Sequence, residues 1–305
     1  MNSKIKGNTK NRTELEKIVQ SNNVLHSYLF LGKEGIGKKQ IAKEFAKKIL
    51  CIKNKEETCT CKSCTCFESN NHPDIQILNE ESETIKIATI RDFIKLVYEK
   101  PILSEKKIFI INDADKMTKE AQNSLLKTLE EPPEYIVIIL IASNPDMLLT
   151  TIKSRCTKMV FEKLNTNEIK EILTEKNIQI NIPEKMLDLF DGSIEKAIKI
   201  LENREEYEQV EKFVDSIEHM SKIDFLTKNK EIFVKEDIYG ILEYLSLNLF
   251  NIGKKRKNTK YLNCVKYVQE TTNHLKANSN FDMSIDYMLF QIWEEVNEDN
   301  SRSKV

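Results

Sequence analysis

The sequence predicts an α/β domain built on a parallel sheet, followed by a region that is helical throughout. Three observations carry this. Short, continuous apolar runs alternate with amphipathic stretches as far as Phe161, a glycine-rich turn joins the first run to a helix, and strand-like runs then stop. The runs are Tyr28 to Leu31, Asp74 to Leu78, Ile108 to Ile111, Ile136 to Ile141 and Lys158 to Phe161. Several lack polar alternation, as suits strands covered by helices on both faces. Between them, Ile41, Ala42, Phe45, Ala46, Ile49 and Leu50 form a stripe at helical spacing that starts near Lys38. Ala121, Leu125 and Leu129 form another, with Thr118 placed to cap its start and Pro132-Pro133 to end it. Beyond Phe161, Asn165 to about Glu205 reads as short helices, one carrying Ile194, Ala197, Ile198 and Leu201. Longer amphipathic stretches follow, among them Ile238 to Ile252 and Ile285 to Val296, where Tyr287, Met288 and Trp293 read as core. The expected division is 1–162 for the α/β domain, 163–206 for a small helical lid and 207–305 for a helical bundle.

Composition narrows the functional classes. A chain of 305 residues is long enough for two or three domains with a sizeable core. Only 7 Gly and 6 Pro argue for helix-rich structure with few long loops. No apolar run approaches the roughly 20 residues of a membrane span, and Met1 to Arg12 lacks the apolar core of a signal peptide. The expectation is a soluble cytoplasmic protein without a membrane partner. A net charge of −1 argues against whole-molecule attraction to nucleic acid, so any DNA contact must be local. The run Lys254-Lys255-Arg256-Lys257 with Lys260 is one candidate, although between two bundle helices it reads first as a solvated loop.

Two segments carry chemistry. Gly32-Lys33-Glu34-Gly35-Ile36-Gly37-Lys38-Lys39 follows the first strand and opens a helix, the setting of a phosphate loop. Gly32, Gly35 and Gly37 let backbone N–H groups close round phosphates, and Lys38 would reach the β and γ oxygens. The next position should carry a hydroxyl for Mg²⁺, and here it is Lys39. The third strand ends Ile110-Ile111-Asn112-Asp113, whereas an active ATPase of this type delivers an Asp toward Mg²⁺, usually followed by a Glu that polarises water. An amide lacks the charge to hold Mg²⁺ strongly. Two losses in one metal site argue against efficient hydrolysis and leave either weak ATP binding or a glycine-rich turn that binds nothing. The second segment is cysteine-rich. Five of the seven Cys lie between Cys51 and Cys66, a density that in a cytoplasmic chain points to a metal. Nearby His72 reads as a loop residue, and Cys156 and Cys264 as isolated buried thiols.

Three strings resemble a known family: His26-Ser27-Tyr28-Leu29-Phe30; Ala121 to Pro133, which contains Leu125-Leu126-Lys127-Thr128-Leu129-Glu130-Glu131-Pro132-Pro133; and Leu148 to Cys156, which ends Ser154-Arg155-Cys156. Together they are similar to clamp-loader ATPases of the AAA+ class over about Asn23 to Phe161, with weaker continuity beyond. Asn278 and Asn280, before the last helix, fit the collar of that family. The resemblance implies an AAA+ P-loop domain with a zinc-binding insertion at 51–66, a helical lid and an all-α C-terminal collar. Within the family, Lys39, the Asn112-Asp113 strand end and Glu195, where motor subunits place a nucleotide-sensing Arg, resemble the delta-prime branch of bacterial DNA polymerase III. That branch implies a subunit whose own ATP site is degenerate. Arg155 would act in trans on the ATP of a neighbouring gamma/tau motor subunit. The delta subunit, the β sliding clamp and primer–template DNA would be further partners, met through the assembly.

The resemblance also implies a structural Zn²⁺. Counting back from Phe67-Glu68-Ser69-Asn70-Asn71-His72-Pro73-Asp74 puts Cys61 and Cys64 on the family's last two ligands and Cys51 on the first. The remaining ligand falls at Thr58, one residue before a thiol, so the expected set is Cys51, Cys59, Cys61 and Cys64, with Cys66 as an alternative. Glu130-Glu131, at a helix end before two prolines, reads as structural or surface rather than as an acid/base pair. Two rival readings stay open: a gamma/tau-type ATPase with unusual metal ligation, and a zinc-containing AAA+ adaptor outside replication.

Overall fold

The computed structural model describes residues 5–53, 58–79, 83–182, 184–233 and 237–302. Part of the expected cysteine segment, 54–57, lies outside the described residues, as do 1–4, 80–82, 183, 234–236 and 303–305. The chain divides into two compact units, 1–197 and 198–305. The expected lid segment, 163–206, is therefore shared between them.

The first unit contains, in order, α1 (Thr9–Gln20), β1 (Ser27–Leu31), α2 (Lys38–Leu50), α3 (Lys62–Glu68), β2 (Ile75–Leu78), α4 (Ile87–Val97), β3 (Lys107–Ile111) and α5 (Lys119–Glu130). Then come β4 (Ile136–Ala142), α6 (Thr150–Arg155), β5 (Thr157–Val160), α7 (Thr166–Glu175), α8 (Glu184–Leu187) and the start of α9 (Ile194–Glu202). The strands form one sheet in the order β2-β3-β4-β1-β5, and every pairing is parallel. Because side chains alternate across a strand, each apolar run supplies two faces. Leu29, Phe109, Ile111, Ile138 and Leu140 meet Ile90, Phe93, Leu125, Leu129 and Ile152 from α4, α5 and α6 on one side. Tyr28, Phe30, Ile108, Ile110, Val137 and Ile139 meet Leu15, Val19, Ile41, Phe45 and Ile49 from α1 and α2 on the other. Burial on both faces is why β1, β3 and β4 show no polar alternation. The C-terminal ends of β1, β3 and β4 open on the same edge, where open parallel sheets place ligand sites.

The helix starts follow local chemistry. The Thr118 side chain accepts the Ala121 N–H at 3.3 Å and caps α5 as the sequence predicts. Asn165 and Glu168 form a reciprocal capping box at α7. Helix α1 was not anticipated, because among its residues only Leu15 and Val19 are buried and its remaining positions are mostly charged or polar.

The second unit holds α10 (Arg204–Ser216), α11 (Lys222–Lys228), α12 (Ile238–Arg256), α13 (Thr259–Lys276) and α14 (Phe281–Arg302), and its described residues include no strand. Phe213 packs against Phe225 and Phe233, with ring centres 5.0 and 5.5 Å away. Asn280 accepts the Met283 N–H at 3.0 Å and caps α14, while Asn278 takes a left-handed turn after α13. Two expectations are corrected. The basic run is not a loop: Lys254, Lys255 and Arg256 form the last turn of α12, where cations suit the carbonyl end of a helix. Arg256 is paired there with Glu218 at 2.7 Å. Met288 is buried, but Tyr287 is 48 % exposed and Trp293 only half-buried, its indole N–H donating to Met220 O at 3.1 Å.

Candidate functional site

After β1 the chain folds back over the start of α2, with Gly35 at φ +74° and Gly37 at φ +89°. Both lie in the left-handed region, where glycine carries no steric penalty. At Gly35 a Cβ would lie 1.9 Å from Ser193 Oγ, and its carbonyl accepts the Ile194 N–H at 2.9 Å. The first residues of α9 therefore close over the phosphate loop. Lys38 is buried and donates to the carbonyls of Gly32 and Lys33 within the loop and to Ser143 Oγ at 3.2 Å. Burial pushes its ammonium down from the ordinary value, while Asp113, Asp115, Glu34 and Glu195 oppose that. The cleft is lined by Glu34, Gly35, Lys38, Asn112, Asp113, Ser143 and Glu195. Of the four predicted loop residues, Gly35, Gly37 and Lys38 line the cleft, and Gly32 meets it only through the carbonyl that accepts the Lys38 ammonium; the three departures, Lys39, the Asn112-Asp113 strand end and Glu195, face the same space.

The strand end beside the loop is occupied by other work. Asn112 Nδ2–H donates to Asn79 O at 3.3 Å, and Asn79 Nδ2–H returns a bond to Asn112 O at 3.2 Å, tying the ends of β2 and β3. Asp113 takes a left-handed turn at φ +47° and pairs with Lys116 at 3.4 Å. Asp115, which the sequence reasoning did not single out, accepts the N–H groups of Ser143 and Asn144 at 3.2 and 2.8 Å. It braces the loop after β4, a long-range role with no local signature.

Arg155 is the last residue of α6 and is about one-third exposed. Its carbonyl is fixed by the Ser27 hydroxyl of β1 at 2.7 Å. The guanidinium donates to Thr151 O at 2.9 Å and to the Glu130 carboxylate at 2.5 Å. The adjacent Cys156 is buried, and that burial pushes its thiol up to about 11. Cys264, in the second unit, is likewise buried and pushed up to about 12.

Cys51, Cys59, Cys61 and Cys64 bring their sulfur atoms within 4.8 Å of one another. Cys51 Sγ lies 3.6 Å from Cys59 Sγ and 3.9 Å from Cys61 Sγ. Zn–S bonds of about 2.3 Å in a tetrahedron set S···S edges of about 3.8 Å, so these separations fit zinc. Cys66 is half-buried and is not among the clustered sulfurs. Burial opposes a thiolate at Cys61, yet the N–H groups of Cys64 and Ile52 and neighbouring thiols bring it down to about 6. Bound zinc would serve as a structural cross-link, since four thiolates leave no position for water.

The cluster stands on a buried polar scaffold. Ser63 and Ser104 hydroxyls both donate to Leu50 O at 2.7 Å. His72 lies 2.9 Å from Ser63 Oγ through Nε2 and accepts the Asp74 N–H at Nδ1, 3.0 Å away. The Asp74 carboxylate accepts three N–H groups, from Ile102, Leu103 and Ser104. His72 is thus a loop residue, as its sequence setting suggests.

Fold and site define the class: an α/β protein with a glycine-rich loop between β1 and α2, a polar cleft beside that loop and a four-thiol cluster. The family described as DNA polymerase III, delta subunit, matches residues 7–165, and the chain belongs to it. Its relatives include DNA polymerase III subunit delta′ of Bacillus subtilis, 35 % identical over 188 residues that cover 61 % of this chain and 57 % of that one. DNA polymerase III subunit tau/gamma of Haemophilus influenzae is 33 % identical over 196 residues, 62 % of this chain and 28 % of that one. The chain thus spans about half the length of the first relative and less of the second. A DNA polymerase III gamma subunit-related protein of Thermotoga maritima shares the fold, with TM-score 0.53 at 17 % identity, covering 92 % of this chain and 99 % of that one. Among the described residues, no helix is long and apolar enough to cross a membrane.

Proposed function

We propose that this chain is a delta-prime-type clamp-loader subunit that does not turn over ATP itself and lends Arg155 to the ATP of a neighbouring gamma/tau subunit. The observation that carries this is the phosphate loop: its shape is kept, while the position after Lys38 is a lysine and Asn112 is spent on Asn79. Glu195 adds a carboxylate to a cleft that would have to accept phosphates. A protein that keeps the loop and gives up the cation ligands suits a structural place in a ring. Its partners would be the gamma/tau and delta subunits and, through the assembly, the β clamp and primer–template DNA. Zinc on Cys51, Cys59, Cys61 and Cys64 would hold the insertion. The α/β domain, lid and collar of the three-domain division, 1–162, 163–206 and 207–305, belong to the same reading.

The test is steady-state ATP turnover by the purified chain with Mg²⁺ and primed DNA. Turnover near background is expected. Turnover at a motor-like rate that disappears in Lys38→Ala would place the chain with the gamma/tau ATPases. The tau/gamma relative at 33 % identity makes that the second reading to exclude.

A further inference from the structure

Glu130 stands against helix-end chemistry. It is the final residue of α5, where the carbonyl end of the helix dipole disfavours a carboxylate. The helix therefore gains nothing from this charge. Glu131 caps the helix and Pro132-Pro133 follow it, fixing where α5 stops, so the position of Glu130 is set by the backbone. On the other side Arg155 closes α6, with its backbone pinned to Ser27 of β1. What these two rigid ends bring together is the ion pair between the Glu130 carboxylate and the Arg155 guanidinium, which also holds Thr151 O. Both terminal guanidinium nitrogens are thereby engaged within the chain. Exposures of 47 % for the Glu130 side chain and 32 % for that of Arg155 keep the pair accessible to another subunit.

From this we infer that Glu130 is a latch on Arg155, its carboxylate competing with the γ-phosphate of a neighbour's ATP for the same guanidinium. The inference rests on the proposed trans role of Arg155. A carboxylate left beside the guanidinium cancels its charge and repels the incoming phosphate. Engagement therefore requires the pair to open, with the side chain swinging about a fixed backbone. An exposed pair of this kind is weak enough to open on contact with a stronger anion. Glu130 would act through Arg155, without touching the nucleotide when the latch is open.

The experiment is MgATP turnover by the assembly of this chain with the motor and delta subunits of its own organism. Wild type is compared with Glu130→Gln, Glu130→Ala, Arg155→Ala and the Glu130→Gln/Arg155→Ala double variant. Both Glu130 variants are expected to raise kcat/KM about two- to fivefold, the span that loss of a weak exposed pair allows. That gain should shrink as salt screens the pair and vanish in the double variant. A gain that persists without Arg155, or no gain while Arg155→Ala still lowers turnover, overturns the latch and leaves the trans arginine standing. If Arg155→Ala changes nothing, the trans role fails and the latch falls with it. Thermal melting of Glu130→Gln separates a merely structural effect, which would lower stability without an arginine-dependent gain.

Discussion

His72 shows how a single side chain can be committed by its surroundings. With Nδ1 accepting the Asp74 N–H, its proton sits on Nε2 and points to Ser63 Oγ. A second proton would confront one N–H with another. Burial holds the imidazole below its ordinary value of 6.5, against the pull of Asp74. The folded chain thus binds this proton less readily than the unfolded one. The stability it contributes is fully present above about pH 6.5 and is lost as pH falls below that value toward the depressed folded one. Urea midpoints should therefore drop more steeply between neutral and mildly acidic pH in the wild type than in His72→Gln. Equal slopes would remove His72 from the account. The role could not be read from sequence, because nothing in Asn71-His72-Pro73 reveals the hydroxyl and amide that meet the ring.

At the scale of elements, α5 connects sequence to site most directly. Its stripe of Ala121, Leu125 and Leu129 is buried against the sheet, and its cap and stop were legible from Thr118 and Pro132-Pro133. Replacing Thr118 by Ala should cost about 1 kcal/mol, the usual loss for such a cap, with Thr118→Ser close to neutral. Chemical denaturation measures both, and no difference between them would mean that the cap bond is immaterial. The destination of α5 was not legible. Glu130-Glu131 reads as a helix-end pair, and only the packing of α5 beside α6 places Glu130 against Arg155. Similarly, Cys59 falls one residue from the expected ligand position at Thr58, and the fold of the loop brings its sulfur into the cluster while leaving Cys66 outside.

Across the whole molecule, the cysteine cluster and Arg155 give the two largest expected effects. The cluster lies beyond the end of α2 and hangs on Leu50 O through Ser63 and Ser104, so a metal there would stiffen an insertion that has only a small apolar core of its own. Elemental analysis of the native chain should find one zinc. Chelation, or Cys64→Ser, should strip amide-exchange protection from the described residues around 58–72 while the sheet stays protected. Full protection in metal-free protein would dismiss the structural role. In the reconstituted ring, Arg155→Ala should lower ATP turnover by a factor within the ~10³–10⁵ span that such arginines supply, or by less where other sites continue to turn over. Turnover equal to wild type would remove the trans arginine from the mechanism.

The sequence by itself determined the five parallel strands, the two-sided burial that demands helices on both faces, the glycine-rich loop between β1 and α2, and the presence of Lys39 and Asn112 beside it. These are local properties: apolar runs, glycine spacing, and the identity of a residue beside a lysine or at a strand end. Tertiary structure alone decided which polar groups meet. It assigned Asn112 to Asn79, Asp115 to the loop after β4 and Glu130 to Arg155. Each of these pairings joins residues from separate elements, where hydrogen bonds and ion pairs follow from how strands and helices are stacked. Periodicity records the stacking but carries no trace of the partners it creates.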